Sequence, residues 1–193
     1  MTAGTAGLAA LLERLARDVA GREPPAPMRT RVVAVDGAGG AGKTSFARHL
    51  AEALGGCAVV HTDDFASWDN PVDWWPELIE QVLEPVSRGE PARFTPTQWS
   101  PHRRPEPVEI VPAEFLVLEG VTASRRAFRP YLTYAVWIET GPDVRLQRGL
   151  ERDGEAARPQ WEAWMAEEDA YREREHPDRA ADAVVAGGCG LWS

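Results

Sequence analysis

Short apolar runs alternate along the chain with longer segments of helical periodicity. The apolar runs are rich in β-branched or aromatic residues and bounded by turn residues, which is typical of buried strands. They predict strands at 31–35, 57–61, 115–118, 134–138 and, more briefly, 183–185. Because strands that alternate with helices form parallel sheets covered on both faces, the pattern predicts an α/β fold with a mostly parallel central sheet.

The helical segments are equally regular. Leucines and alanines at helical spacing predict an amphipathic helix over 8–20, closed by Gly21 and followed by a proline-rich linker over 22–27. Further helices are predicted over 44–54, 77–86, 143–152 and 159–175. We expect Pro85 to kink or end the helix at 77–86, since proline removes a backbone donor.

Residues 90–112 interrupt this alternation. They are rich in proline and arginine and show no clear periodicity. A segment of this length is unusual as a plain loop in a compact domain, so we expect it to be functional or to contain short strands that the pattern does not place. The whole chain of 193 residues suits one globular domain over 1–193.

Composition excludes several classes of function. A net charge of -9 disfavours a nucleic-acid partner, although a local cluster of arginines could still bind a small anion. No apolar run approaches the roughly 18–20 residues of a membrane span, and residues 1–7 lack the pattern of a secretory signal. Cys57 and Cys189 are too few for a disulfide framework, so we expect reduced thiols in a cytoplasmic protein. A homo-oligomer stays open.

A glycine-rich loop follows the first predicted strand and carries the only lysine of the chain, Lys43. The loop fits the pattern G-x-x-x-x-G-K-[ST] between a strand and a helix, which is the context that a P-loop requires. Its N–H groups and the helix dipole favour phosphate, so we expect ATP there, with Lys43 on the β- and γ-phosphates and Thr44 on Mg²⁺. A plain turn before a helix is the alternative. The expected ATP-binding residues are Gly37, Ala38, Gly39, Gly40, Ala41, Gly42, Lys43, Thr44 and Ser45.

Carboxylates follow the second and third predicted strands. Asp63 comes just after 57–61, and Glu119 comes just after 115–118. Ligands bind at this carboxyl edge in open α/β sheets, where Asp63 could take the proton of an acceptor hydroxyl and Glu119 could hold Mg²⁺. The alternatives are a capping or turn role for Asp63 and a solvated Glu119.

At these motifs the chain resembles the uridine kinase and pantothenate kinase branch of the P-loop kinases. The resemblance extends in the same order over roughly residues 30–155. Its motifs are Val-Asp-Gly at 35–37, Lys-Thr at 43–44, Thr-Asp-Asp-Phe at 62–65, Trp-Asp-Asn-Pro at 68–71, Trp-Ser-Pro-His-Arg at 99–103, Phe-Leu-Val-Leu-Glu-Gly at 115–120, and the helix at 143–153.

The resemblance implies a three-layer P-loop NTPase fold in which 143–175 form a helical lid and the helix after it. It also implies an ATP-dependent kinase that phosphorylates a hydroxyl of a uridine- or cytidine-like nucleoside. In that family pattern Asp63 is the base and lies beside the metal, together with Thr44 and Glu119.

The lid helix contributes two arginines to the implied catalytic set. The resemblance gives Arg148 and Arg152 as phosphate-facing residues, and their i, i+4 spacing puts both on one face of a helix. The alternative is an exposed helix face on which Arg145, Arg148 and Arg152 form ion pairs with Glu151 and Asp153. Arg158 could replace a further arginine that the family carries after the lid helix.

The acceptor side departs from the uridine kinases. Ala66, Thr97 and Gln98 stand where that family has a tyrosine and a tyrosine–aspartate pair. Trp68, Trp74, Trp75 and Trp99 either form an aromatic wall for a flat ring or pack the core. The expected acceptor-binding residues are Asp73, Trp99, His102 and Arg103.

Two other functions stay open. The same machinery could phosphorylate a non-nucleoside alcohol such as pantothenate, a sugar-like metabolite or an antibiotic. Alternatively, the chain could be a regulatory protein that binds ATP and hydrolyses it slowly. The predicted base and the paired arginines argue against this last function, because a switch needs neither.

Overall fold

The computed structural model describes residues 3–67, 73–97 and 105–187. Within these ranges the helices are α1 (Ala3–Ala20), α2 (Lys43–Ala53), α3 (Trp75–Leu78), α4 (Glu84–Ser87), α5 (Pro142–Asp153), α6 (Arg158–Glu175) and α7 (Pro177–Ala180). The strands are β1 (Arg31–Asp36), β2 (Ala58–His61), β3 (Ala92–Phe94), β4 (Val108–Ile110), β5 (Phe115–Glu119), β6 (Leu132–Glu139) and β7 (Ala183–Ala186).

Five of these strands form a central sheet in the order β2-β5-β1-β6-β7, and every neighbouring pair is parallel. β1 lies in the middle between β5 and β6, and its side chains are buried from Val32 to Asp36. This arrangement confirms the predicted α/β fold with a mostly parallel sheet. It also brings the carboxyl ends of all five strands to one edge.

The core lies on both faces of this sheet. On one face, α1 and α2 pack against the strands through buried side chains that include Leu15, Val19, Phe46 and Leu50. On the other face, the segment from α3 to α4 packs with the loop after β5, through side chains that include Leu78, Val82, Val86 and Phe128. The result is the expected three-layer architecture.

The helix predicted over 77–86 is present, but Pro85 does not end it. The chain continues from α3 through a π-helical turn (Ile79–Leu83) into α4. Proline cannot donate the usual backbone hydrogen bond, and a wider turn just before it lets the helical path continue without that donor. α7 is a short helix that the sequence pattern did not predict.

Residues 90–112 contain β3 and β4, which pair as an antiparallel ribbon. Phe94 and Ile110 turn inward from this ribbon and join the core under α3 and α4. On its outer side Arg93 pairs with Glu109 at 3.1 Å. The short strands that the pattern could not place are therefore present, and the connection between them at 98–104 lies outside the described residues.

Two of the compositional expectations can be compared with this structure. Among the described helices, none combines the length and the apolar character needed to cross a membrane. Cys57 is a half-buried free thiol, and burial raises the pKa of that thiol. Cys189 lies outside the described residues.

Candidate active site

The glycine-rich loop connects β1 to α2 at the carboxyl edge of the sheet, as predicted. Gly42 precedes the first residue of α2 with a φ of 96°, a left-handed conformation that glycine adopts without strain. Gly40 also has a positive φ, and a Cβ there would lie 2.6 Å from the Arg145 carbonyl oxygen. The loop therefore has both the conformation and the close packing that restrict these positions to glycine.

Lys43 and Thr44 begin α2 and face different partners. Lys43 is buried as a residue, and its ammonium donates a hydrogen bond to the Ala38 carbonyl oxygen at 3.0 Å, across the loop. The Thr44 hydroxyl donates to a carboxylate oxygen of Glu119 at 3.2 Å. The loop and the end of β5 are thus joined by a direct contact between side chains.

Glu119 also contacts the neighbouring strand β2. Its second oxygen lies 2.6 Å from Nδ1 of His61, the residue opposite it in the sheet register. This hydrogen bond raises the pKa of His61, against the opposing effect of burial. The contact of His61 with Glu119 depends on the pairing of β2 with β5.

The predicted base, Asp63, lies in a 3₁₀ turn (Thr62–Asp64) that directly follows β2. Burial raises the pKa of the neighbouring Asp64, with a smaller contribution from the charge of Asp63. The Asp64 carbonyl oxygen accepts a hydrogen bond from the Thr97 N–H at 2.7 Å. The turn is therefore tied to the chain just before 98–104, where several acceptor-binding residues are predicted.

The two predicted lid arginines have different surroundings. Arg148 donates to the carbonyl oxygens of Gly40 at 3.1 Å and Gly187 at 3.3 Å, so it links α5 to the loop and to the end of β7. The Arg152 side chain is 68% exposed and pairs with Asp153 at 2.8 Å. This hydrogen bond raises the pKa of Arg152, and the negative charge of Asp63 adds to the shift.

Arg145 does not lie on an exposed helix face. Its side chain is only 7% exposed and pairs with Glu168 of α6 at 3.1 Å. The exposed-face alternative is therefore wrong for this arginine, because α6 folds back over α5. The ion pair of Arg152 with Asp153 agrees with that alternative.

The residues at the end of the loop fit Mg²⁺. Among the described residues, no group of three or more His, Cys, Asp or Glu side chains could hold a metal by itself. Mg²⁺ in nucleotide sites, however, uses one or two protein ligands together with phosphate oxygens and water. The Thr44 hydroxyl and the Glu119 carboxylate supply two adjacent oxygens of the type that Mg²⁺ prefers.

The predicted acceptor residues are only partly described. Asp73 is exposed, just before α3. Trp74 is 3% exposed and lies within 6.3 Å of the rings of Phe65 and Phe128, so it packs the core. The Trp75 ring lies 5.2 Å from the Arg125 guanidinium. The predicted sites that lie outside the described residues are Trp68, Trp99, His102 and Arg103.

Sequence reasoning missed one buried carboxylate, Asp36, the last residue of β1. Its side chain is fully buried and accepts five hydrogen bonds of 2.7–3.0 Å. The donors are the N–H groups of Gly37, Thr122 and Ser124 and the hydroxyls of Ser124 and Tyr171. An aspartate directly before the loop is visible in the sequence, but its donors come from segments far along the chain.

Comparisons with known proteins agree with this geometry. No protein-family model matches the chain. A uridine kinase from Halobacterium salinarum is 27% identical over 138 residues, which are 63% of this chain and 61% of that protein. A uridine kinase from Geobacillus sp. (strain WCH70) is 26% identical over 140 residues, which are 63% of this chain and 66% of that protein. The chain thus matches less than two thirds of the length of either relative.

Solved structures extend the likeness in fold over most of the chain. A possible uridine kinase from Bacillus stearothermophilus superposes with a TM-score of 0.69 at 18% identity, covering 92% of this chain and 98% of that one. A protein assigned as a fructose transport system kinase from Silicibacter sp. TM1040 gives 0.68 at 20% identity, covering 90% and 98%.

The parallel sheet with helices on both faces and the phosphate loop after β1 give this chain the three-layer fold of the P-loop kinases. The curated uridine kinases, at 26–27% identity, confirm the resemblance of this sequence to the uridine kinase-like branch.

Proposed function

We propose that this chain is an ATP-dependent kinase that transfers the γ-phosphoryl group to a hydroxyl of a small, nucleoside-like molecule. The observation that carries the proposal is the double contact of Glu119, which bonds Thr44 through one oxygen and His61 through the other. This contact joins the loop that would hold ATP to the strand that leads into Asp63. Donor and acceptor groups would then meet at one edge of the sheet.

The proposed reaction assigns a role to each of these groups. The N–H groups of the loop and the Lys43 ammonium would hold the phosphates, and Thr44 and Glu119 would hold Mg²⁺. When bound, Mg²⁺ would neutralise negative charge on the phosphates during transfer. Asp63 would orient the acceptor hydroxyl and take its proton as the phosphoryl group is transferred in line.

The lid arginines have separate parts in this proposal. Arg152 is exposed, and the charge of Asp63 contributes to its raised pKa, so we assign Arg152 to the migrating phosphoryl group. Arg148 bonds the carbonyl oxygen of Gly40 inside the phosphate loop. It would therefore keep the lid helix attached to the loop while Arg152 contacts the substrate.

A second class of acceptor, a non-nucleoside alcohol of the pantothenate, sugar or antibiotic type, is favoured by the burial of Trp74. Since this tryptophan packs against Phe65 and Phe128 in the core, it cannot stack on a nucleobase. Trp74 is therefore not part of an aromatic wall that could stack on a base. Both acceptor classes use the same donor site and the same base.

The test of the proposed base is a pair of neighbouring substitutions, Asp63→Asn and Asp64→Asn. Removal of a general base lowers turnover by about 10²–10⁴-fold, so we expect Asp63→Asn to lose kcat on that scale. The dissociation constant for Mg–ATP should stay within about twofold, because Asp63 lies on the acceptor side. We expect the smaller loss for Asp64→Asn, whose carbonyl rather than carboxylate makes the contact with Thr97.

The acceptor class is tested by ADP release from the wild-type chain with a panel of small alcohols. Release with uridine or cytidine supports the nucleoside assignment, and release only with other alcohols supports the second class. ATP turnover that no acceptor changes would instead indicate a regulatory ATPase. Normal phosphotransfer by Asp63→Asn would remove this residue from the mechanism.

A further inference from the structure

Helix α6 touches the phosphate loop directly, through a residue that the proposed chemistry does not use. One carboxylate oxygen of Glu168 accepts a hydrogen bond from the Gly39 N–H at 2.9 Å. Its other oxygen pairs with the Arg145 guanidinium at 3.1 Å, and the Glu168 side chain is only 11% exposed. A buried carboxylate thus connects the loop, α5 and α6.

Three residues further along α6, a second contact reaches the base of the same loop. The Tyr171 hydroxyl donates to the buried Asp36 carboxylate at 2.8 Å, and that carboxylate also accepts from the Gly37 N–H at 2.7 Å. Residues three apart lie on one face of a helix, so Glu168 and Tyr171 hold the loop at two points from the same side.

The loop has no room for a side chain between these two points. A Cβ on Gly39 would lie 2.9 Å from the Glu168 carboxylate and 3.2 Å from the Trp161 ring. A Cβ on Gly149 of α5 would lie 2.4 Å from the same ring. The glycines therefore allow α5, α6 and the loop to pack against one another, and Glu168 lies inside that contact.

We propose that Glu168 and Tyr171 are positioning residues that hold the phosphate loop in its nucleotide-binding shape before ATP arrives. This inference rests on the proposed function, because it assumes that the loop binds ATP. A loop fixed in advance does not lose conformational freedom when the ligand binds, and its affinity is higher for that reason. Neither residue needs to touch the nucleotide.

The opposite role for Glu168, a plug that occupies the position of a phosphate, does not fit the contacts. A carboxylate in that position would pair with the Lys43 ammonium. Lys43 instead donates to the Ala38 carbonyl oxygen, and among the residues with described positions no ion pair joins it to Glu168, although its charge lowers the pKa of Glu168 against the effect of burial. Glu168 pairs with Arg145, on the side of the loop that faces α5 and α6.

The two roles predict opposite changes in affinity, which makes Glu168→Ala the deciding variant. We expect its dissociation constant for Mg–ADP to rise about tenfold, as for the loss of a charge-assisted hydrogen bond. Glu168→Asp keeps the charge but not the reach, so it should weaken binding as well. Glu168→Gln keeps an acceptor oxygen for the Gly39 N–H and should restore part of the affinity. Tyr171→Phe tests the second contact with no change of charge.

The measurement is isothermal titration of the full chain with Mg–ADP, without any acceptor and well below the melting temperature of each variant. Glu167→Ala is the matched control, since Glu167 is an exposed neighbour on α6, and its affinity should equal that of the wild type. If Glu168→Ala does not fold, Glu168→Asp and Tyr171→Phe decide the question.

Three results would contradict parts of the proposal, each in a recognisable way. Tighter binding by Glu168→Ala would identify a plug and overturn the positioning role. Unchanged affinity in all the Glu168 variants, even with lower melting temperatures, would reduce Glu168 to a structural residue. A wild-type chain that does not bind Mg–ADP would overturn the proposed function itself.

Discussion

Three carboxylates at the carboxyl edge of the sheet have different partners, and the partners decide what each one can do. Asp36 is fully buried and accepts five hydrogen bonds, so no ligand can reach it. Glu119 contacts Thr44 and His61, and in the proposed function it holds Mg²⁺ together with Thr44. Asp63 lies in the turn after β2, and its charge raises the pKa of Arg152 at the end of α5. Residue type alone does not separate these roles.

Gly149→Ala is expected to destabilise the protein although it lies inside a helix. The added methyl group would lie 2.4 Å from the Trp161 ring, and overpacking of this kind costs ~1–3 kcal/mol. This cost offsets or exceeds the ~1 kcal/mol that alanine gains over glycine in a helix. Urea denaturation should therefore show no gain in the free energy of unfolding. If the overpacking cost lies at the upper end of its range, the free energy of unfolding should fall.

Gly7→Ala is the matched control for this substitution. Gly7 also lies in a helix, α1, and no atom lies within 4 Å of the position of its added Cβ. Alanine there should raise the free energy of unfolding by up to ~1 kcal/mol. Equal stabilisation by both substitutions would mean that Trp161 does not pack on Gly149.

At the scale of the elements, α1 is an integral part of the fold. Leu15 and Val19 are fully buried and join the cluster formed by α2 and the sheet, and Arg22 beyond the helix pairs with Asp182 next to β7. The linker predicted over 22–27 therefore returns the chain to β1 without separating α1 from the sheet.

Leu15→Ala tests this packing of α1. Truncation of a fully buried leucine costs ~2–5 kcal/mol, since it removes apolar contacts and leaves a cavity. We expect a loss of that size in the free energy of unfolding, in a single transition, because α1 and the sheet share one core. Leu8→Ala, at a partly buried position of the same helix, should cost less.

A small loss for Leu15→Ala, or a separate early transition, would show that α1 unfolds independently of the sheet. A single transition would in turn support the prediction of one domain over 1–193. Melting curves followed by circular dichroism and by tryptophan fluorescence should then coincide.

At the scale of the whole molecule, nucleotide binding should raise the stability of the folded state. A ligand that binds only the folded state at 100 times its dissociation constant adds ~2.7 kcal/mol, and for a chain of this size that corresponds to a rise of about 5–10 °C in melting temperature. We expect this rise with Mg–ADP and a smaller one when a chelator removes Mg²⁺.

Lys43→Ala is the control for this thermal shift. It removes the only lysine of the chain, which the proposed function places on the phosphates, so the rise with Mg–ADP should largely disappear. Arg48→Ala, at an exposed position further along α2, should leave the rise unchanged. An undiminished rise in Lys43→Ala would mean that the nucleotide binds elsewhere.

The sequence by itself determined the order and type of the main elements and the identity of the phosphate loop. These features are local, because strand and helix periodicity and the spacing of glycines, lysine and threonine are written in neighbouring residues. The same local signals were incomplete at Pro85, where a π-helical turn maintains the helix, and in 90–112, where three-residue strands are too short to show a period.

Tertiary structure alone decided which distant residues meet the loop. The pairing of β2 with β5 brings His61 to Glu119, and the fold of α6 over α5 brings Glu168 to Gly39 and Tyr171 to Asp36. These contacts join positions 58 to 135 residues apart, and no periodicity relates them. Their formation depends on the packing of whole elements, which is why the chain order shows the phosphate loop but not the distant residues that contact it.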